Sequence, residues 1–453
     1  MKKYLLSLLV CILAIPAFLC GCTAAPLANA PQTSANSKVV GSALGYENYI
    51  YFANAFQSSS EMEEGYDQDN TAIYRIINGE TIATDEETGL PTGQEKVLAK
   101  VVGSEYTFMY SSGQYIYFAS PSTEINPATH GEHFYTYNQY FRVNTDGTGL
   151  TKFYSTSSVV TQQTVLNIEG IEYLVLVDNS KLIQIKLGKT ISQPVTLAED
   201  FTSVIFAQNY MAEGDKIAYY LTNLPEEGYI GQSGSLLYGV DITTGNSLLT
   251  DEDQEPKAIN DSQSRTMTLK KVFNGNLYFT IKPLAGTTEQ DEVFATLCKN
   301  FNYTTISNTT AEITTFDVIK DENGYINHIF VTANGTYSTP ADKKEFTNYQ
   351  IINQGITLLF TSGDYIYYTY TEGKDGIYRI SVQDKVEQVI TDIKDIKTTN
   401  ITFDGKYIYF YALNTDNTSG TYYMHRARAD RNVANAELLS VVLDEDKPAV
   451  DEE

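Results

Sequence analysis

The thiol of Cys22 stands at the end of a run whose residue types and spacing invite chemistry. Met1-Lys2-Lys3 leads into an apolar stretch from Tyr4 to Leu19, interrupted by Ser7 and Pro16, and then into Leu19-Cys20-Gly21-Cys22. A charged start, a short apolar run and small residues before a cut form the pattern of an export signal that is removed. A thiol just past that cut can act as the nucleophile that accepts an acyl group. Cys20 sits behind bulky Phe18-Leu19, and Cys11 lies inside the apolar run. That run falls short of the ~20 residues a spanning helix wants.

Other candidates are more scattered. His130-Gly131-Glu132-His133 places two imidazoles and a carboxylate in a polar stretch, Pro121 to Asn138. Zinc sites on helices use histidines four apart with Glu between them, whereas His130 and His133 are three apart in a loop with no third ligand in view. The acidic run Glu61 to Asn70 includes Asp67 and Asp69, whose oxygens suit calcium, but it lacks the spaced loop with a terminal Glu. Calcium is the one cofactor these residues suggest; otherwise none is expected. Asp251 to Glu255 reads as a solvated charge run. A carboxylate pair for glycoside hydrolysis cannot be singled out among 56 acidic residues. No serine-elbow, phosphate-cradling or Cys-x-x-Cys motif is present, and catalytic residues are expected to be none.

Charge narrows the partners. The chain carries −25, and loss of Lys2 and Lys3 with the signal makes it −27. Such a protein does not hold nucleic acid or anionic lipid by general electrostatics. Of four cysteines only Cys22 and Cys298 survive cleavage, so no disulfide framework is expected, and Cys298 reads as a packed apolar residue.

The elements that would position any site repeat along the chain. Glu47-Asn48-Tyr49-Ile50-Tyr51-Phe52 recurs at Gly113 to Phe118, Gly275 to Phe279, Gly363 to Tyr368 and Gly405 to Phe410. Looser copies lie at Gly170 to Leu174 and Gly214 to Tyr220, and the poorest at Gly324 to Phe330. A second unit follows several of them: Ile73-Tyr74-Arg75-Ile76, Tyr140-Phe141-Arg142-Val143, Leu237-Tyr238-Gly239-Val240 and Ile377-Tyr378-Arg379-Ile380. Asp146-Gly147 and Thr244-Gly245 supply turn chemistry. With 35 Tyr, 20 Phe and no Trp, this is an all-β chain whose aromatics suit half-buried strands.

Eight units of roughly 50 residues predict a single β-propeller of four-stranded blades, with units ending near 105, 160, 200, 260, 310, 355, 395 and 443. Seven blades with one irregular insertion is the alternative. The repeating tyrosines are expected to fill the space between blades. His328 and His425 read as packed strand residues, while Tyr66, Tyr135, Tyr137 and Tyr229 are loop candidates. The domains are then a signal over 1–21, a flexible tether over 22–38 with a reach of roughly 20–25 Å, the propeller over 39–443 and a frayed acidic tail over 444–453.

Two resemblances carry these readings further. Leu19-Cys20-Gly21-Cys22 resembles the bacterial lipobox, which implies acyl chains on Cys22 and a lipid-anchored protein facing the outside of the cell or the periplasm. Two chains suffice for stable anchoring. The alternation of Tyr-Ile-Tyr-Phe with the stretch Tyr140 to Phe153 is similar to bacterial propellers of uncharacterised function, named after the YWTD-type propeller of low-density-lipoprotein-receptor-related proteins. It implies a propeller and hardly an activity. The expected role is a binding or interaction module for an extracytoplasmic protein or glycan. A polysaccharide-acting surface enzyme and an assembly factor of an envelope complex are the alternatives.

Overall fold

The computed structural model describes residues 26–30, 37, 40–56, most of 72–443, and 446–447; within 72–443 it leaves out 100, 102–106, 122–136, 208–212, 225–233, 262–264, 284–291, 298–302, 310–312, 322, 344–345, 414–418 and 431–435. Eight antiparallel sheets follow one another along the chain, over 43–99, 108–159, 163–199, 203–261, 265–309, 315–352, 356–391 and 396–438. These are the eight blades of a propeller, numbered 1 to 8 below. At every junction but that of blades 3 and 4, the first strand of a blade packs against the first strand of the next. First strands therefore ring the central channel, and fourth strands lie at the rim. No helix among the described residues is long and apolar enough to cross a membrane.

Period-two alternation explains the blades. The Tyr-Ile-Tyr-Phe unit is the second strand, and successive side chains enter the clefts on its two sides. In Tyr49–Ala53, Ile50, Tyr51 and Phe52 are all fully buried, because both blade faces are covered by neighbours. The third residue of this strand is the most regular feature of the fold: Tyr51, Tyr117, Tyr173, Tyr219, Tyr278, His328, Tyr367 and Tyr409 in blades 1 to 8, all buried. His328 thus takes a tyrosine's place in blade 6, which explains why that repeat is poorest in sequence.

Tight turns join first to second strands. Asn274 and Gly275 have φ of +50° and +75°, the left-handed pair a two-residue hairpin needs. Gly147, at φ +85°, closes the expected turn in blade 2, and a Cβ there would lie 2.6 Å from the Val97 carbonyl of blade 1. These turns gather on one face, the turn face; links between blades and between second and third strands gather on the other, the crossover face.

Closure joins the chain ends. Blade 8 pairs its third strand, Tyr422–Arg428, with both Glu437–Leu438 and the two-residue strand Ala55–Phe56 from the blade 1 side. Beside them Asn54 exchanges two hydrogen bonds with the Val441 backbone, at 2.8 and 2.9 Å.

Contacts reach into both terminal segments. The segment over 22–38 is not free along its length: Leu27 packs against the buried cluster that includes Val97, Met109 and Val143, its N–H reaches Asp146 O at 2.9 Å, and the Ala28 carbonyl accepts from Arg75. Farther on, Ser37 N–H donates to Ser111 O and Gly41 N–H to Met109 O. Those carbonyls lie on the channel-facing edge of Phe108–Ser112, the first strand of blade 2, because alternate residues of an antiparallel strand point their hydrogen bonds to opposite edges. Ser37 and Gly41 thus line one side of the channel through backbone pairing. The acidic tail is also not wholly frayed: Asp446 is buried and accepts from Tyr423 Oη at 2.8 Å and Ser419 Oγ at 2.6 Å.

Candidate functional site

The residues singled out from sequence for lipid attachment or metal, namely Leu19, Cys20, Gly21, Cys22, Asp67, Asp69, His130 and His133, lie outside the described residues, as do Tyr66, Tyr135, Tyr229 and Cys298. Tyr137 begins a strand, Tyr137–Asn144. Asp251 closes a turn, accepting the N–H of Asp253 and of Glu255, each at 3.0 Å. Among the described residues no three His, Cys, Asp or Glu side chains are grouped to hold a metal.

His328 and His425 are packed strand residues, as expected. His328 lies against the rings of Tyr278 and Phe316, with Nδ1 lacking a partner. His425 stacks on Phe410 and shares a 2.9 Å contact with Tyr423 O. Burial in apolar surroundings lowers both imidazoles to about 4, so both are neutral near pH 7.

The channel supplies a site the sequence reading did not reach. First strands of blades 4 to 7, with Gln162 just ahead of the first strand of blade 3, wall a cavity of about 630 Å3. Val204, Phe206, Leu269, Val272 and Phe273 form an apolar lining, and Lys270, Lys271, Lys320 and Asp215 bring charge to it, with Asp317 held behind the wall by Lys271. Asp317 is buried and ion-paired with Lys271; it also accepts from Val318 N at 2.7 Å and Thr361 Oγ1 at 3.3 Å. Asp215 accepts the Gly275 N–H at 2.7 Å, and its field adds to burial in pushing the Tyr219 phenol up to about 12. Lys270 and Lys320 have no carboxylate partner among the described residues, and Lys320 is exposed. Gln162, whose Nε2 donates to Val204 O at 2.9 Å, borders this cavity and a smaller one of about 300 Å3 beside Val40 and Gly41.

A signal for these residues exists in the sequence. Asp317 interrupts the apolar run Phe316 to Ile319, and Lys270-Lys271 breaks the alternation of Arg265–Phe273. A buried charge in a strand needs a partner, and here the partner comes from the next blade.

No family model matches the sequence, and neither does any curated protein. Among solved structures, the chain is similar to a puromycin hydrolase at 10% identity and a TM-score of 0.48, covering 72% of this chain and 52% of that one. It is also similar to an oligogalacturonate lyase from Vibrio parahaemolyticus at 10% identity and a TM-score of 0.41, over 86% of this chain and 97% of the lyase. A third is the β-propeller domain of the Trilobed protease from Pyrococcus furiosus, at 9% identity and 0.42, over 73% and 93%. The chain thus spans about half the length of the puromycin hydrolase. The propeller assignment rests on the strand order described above, not on these likenesses.

Proposed function

We propose that this chain is a lipid-anchored extracytoplasmic lipoprotein whose propeller is a binding module, taking its ligand in the central channel. The observation that carries the binding part is the cavity of about 630 Å3 walled by first strands of blades 4 to 7. Ligand pockets commonly have this volume, with an apolar lining and a few convergent polar groups. Here the walls are strands fixed on both faces by neighbouring blades, so little ordering is left for a ligand to induce. The anchoring part is supported by Leu19-Cys20-Gly21-Cys22 after the charged and apolar start. Kinship with the bacterial YWTD-like propellers belongs to the same proposal and is supported by the recurring Tyr-Ile-Tyr-Phe strands and the stretch Tyr140 to Phe153.

Two measurements test the two parts. Cys22→Ser in the full chain should move the protein from the membrane fraction to the soluble one and abolish acyl labelling; a variant that stays in the membrane overturns the anchor. For the channel, the full chain in zwitterionic nanodiscs is screened against fragment-sized molecules by saturation-transfer NMR, beside Thr361→Trp. Hits that vanish in the variant support the channel as the site. A screen in which no fragment distinguishes the two proteins removes it.

A further inference from the structure

The charges around the cavity do not match the charge of the chain. Overall the protein carries −25, yet three lysines and one aspartate, Asp215, line this cavity. Asp317 is answered by Lys271 and Thr361, and Asp215 by the Gly275 N–H. The ammonium groups of Lys270 and Lys320, from the adjacent blades 5 and 6, therefore stand as uncompensated positive charge beside apolar wall formed by Leu269, Val272 and Phe273. Resting on the channel reading above, we propose that the cavity binds an organic monoanion: a carboxylate joined to an apolar body, with the carboxylate at Lys270 and Lys320.

Three features select this class. Lysine offers a compact charge rather than the planar fork that favours bidentate oxyanions, so one carboxylate suits the site. The Asp215 carboxylate in the wall repels a dianion more than a monoanion, which disfavours a phosphate monoester. The apolar lining is desolvated only by an apolar body, and that part supplies affinity in proportion to the area it covers. Because the outer field of the protein is negative, recognition depends on the local ammonium groups and not on long-range steering.

Such a carboxylate has two sources, a free acid or a peptide carboxyl terminus, and titration of the full chain in zwitterionic nanodiscs can separate them. The probes are 4-phenylbutanoate, acetyl-alanyl-phenylalanine with a free carboxylate, the amides of both, and phenyl phosphate. The acids should bind at least tenfold more tightly than their amides, and phenyl phosphate more weakly than either acid. The acid–amide difference should shrink between 50 and 500 mM salt and disappear in Lys270→Met/Lys320→Met, whose melting temperature should match the wild type because neither lysine is ion-paired among the described residues. The tighter acid identifies the source. Acids and amides binding alike overturn the monoanion while leaving the channel as a site, and phenyl phosphate binding most tightly does the same. Binding that is unchanged in Thr361→Trp places the probes elsewhere and overturns both readings.

Discussion

Blades 1, 2, 7 and 8 are joined differently from blades 3 to 6. In the first group an arginine on the third strand lies over the first tyrosine of the second strand: Arg75 over Tyr49, Arg142 over Tyr115, Arg379 over Tyr365 and Arg426 over Tyr407, at 4.2–4.4 Å. Three of these arginines then donate to backbone carbonyls of the following blade. Arg142 reaches Gly188 O at 2.8 Å, Arg379 reaches Ala429 O at 2.6 Å, and Arg426 reaches Gly79 O at 3.0 Å. Tyr117 and Tyr367 donate to the same carbonyls as their arginines. Blades 3 to 6 have Lys186, Gly239, Thr296 and Thr339 at the arginine's place, and their junctions combine apolar packing with isolated polar contacts such as Lys271 with Asp317 and Asp215 with the Gly275 N–H. The clamped side of the ring is also where Ser37 and Gly41 lie along the channel, whereas the cavity opens on the unclamped side. Cation–π stacks and multiple hydrogen bonds fix separation and angle; without them the first strands of blades 4 to 7 leave room.

The largest test of this contrast is Arg426. Its side chain is fully buried, pairs with Glu437 at 2.7 Å, and bonds to Asn78 and Gly79 across the junction where blade 8 meets blade 1. Removing one partner of a buried pair is more damaging than the pair's own net worth. Arg426→Met should cost about 3 kcal/mol in urea unfolding, and Arg142→Met, which leaves no carboxylate stranded, about 1 kcal/mol. Equal losses would show that the arginine stack, and not closure of the ring, is what these residues supply.

How much of this was legible beforehand follows from the range of the contacts. Strand pairs such as Tyr49–Ala53 with Ala72–Ile77 are visible because their alternation is local, and the eight unit ends read from sequence fall close to the observed blade limits. Arg75, Arg142 and Arg379 mark third strands in the sequence, but their partners lie in another blade or at the terminus, out of reach of any local pattern. First strands carry no Tyr-Ile-Tyr signature, so the cavity they wall stayed hidden until Lys271 and Asp317 were brought together. Docking of Leu27 and Ser37 runs through backbone groups, which composition cannot report.

A pH titration sharpens the contrast within the unclamped group. His328 replaces the tyrosine found at the same place in the other seven blades, and burial lowers its imidazole from 6.5 to about 4. Below 6.5 the unfolded chain takes up a proton that the folded chain refuses until about pH 4. Stability is therefore whole above pH 6.5 and falls as pH drops from 6.5 to 4, by up to about 3 kcal/mol for His328. His425, lowered to about 4 as well, adds a similar loss. His328→Phe should remove one of the two shares and, by deleting a buried nitrogen without a partner, should not destabilise at pH 7 by more than about 1 kcal/mol. An unchanged pH slope in urea unfolding between pH 4 and 6.5 would mean that His328 is not shielded from protons in the folded blade.

The smallest expected effect concerns the one clamp that does not reach the next blade. Arg75 is fully buried, but it donates to Ala28 O and Glu95 rather than to a carbonyl of the following blade. Residues 27–28 thus stand where the loop of the next blade stands elsewhere, with Leu27 N–H passing the connection on to Asp146 O. Such a junction depends on a segment that can leave without unfolding a blade. Leu27 is only partly buried, so Leu27→Ser should cost about 1 kcal/mol. Amide exchange is the sharper measure: the N–H of residue 27 should lose protection in the variant, while Tyr117 and Tyr367 strands keep theirs. If exchange at Arg75 and Asp146 also stays unchanged, the blade 1–2 junction holds by packing alone, and the docked segment is a passenger on it.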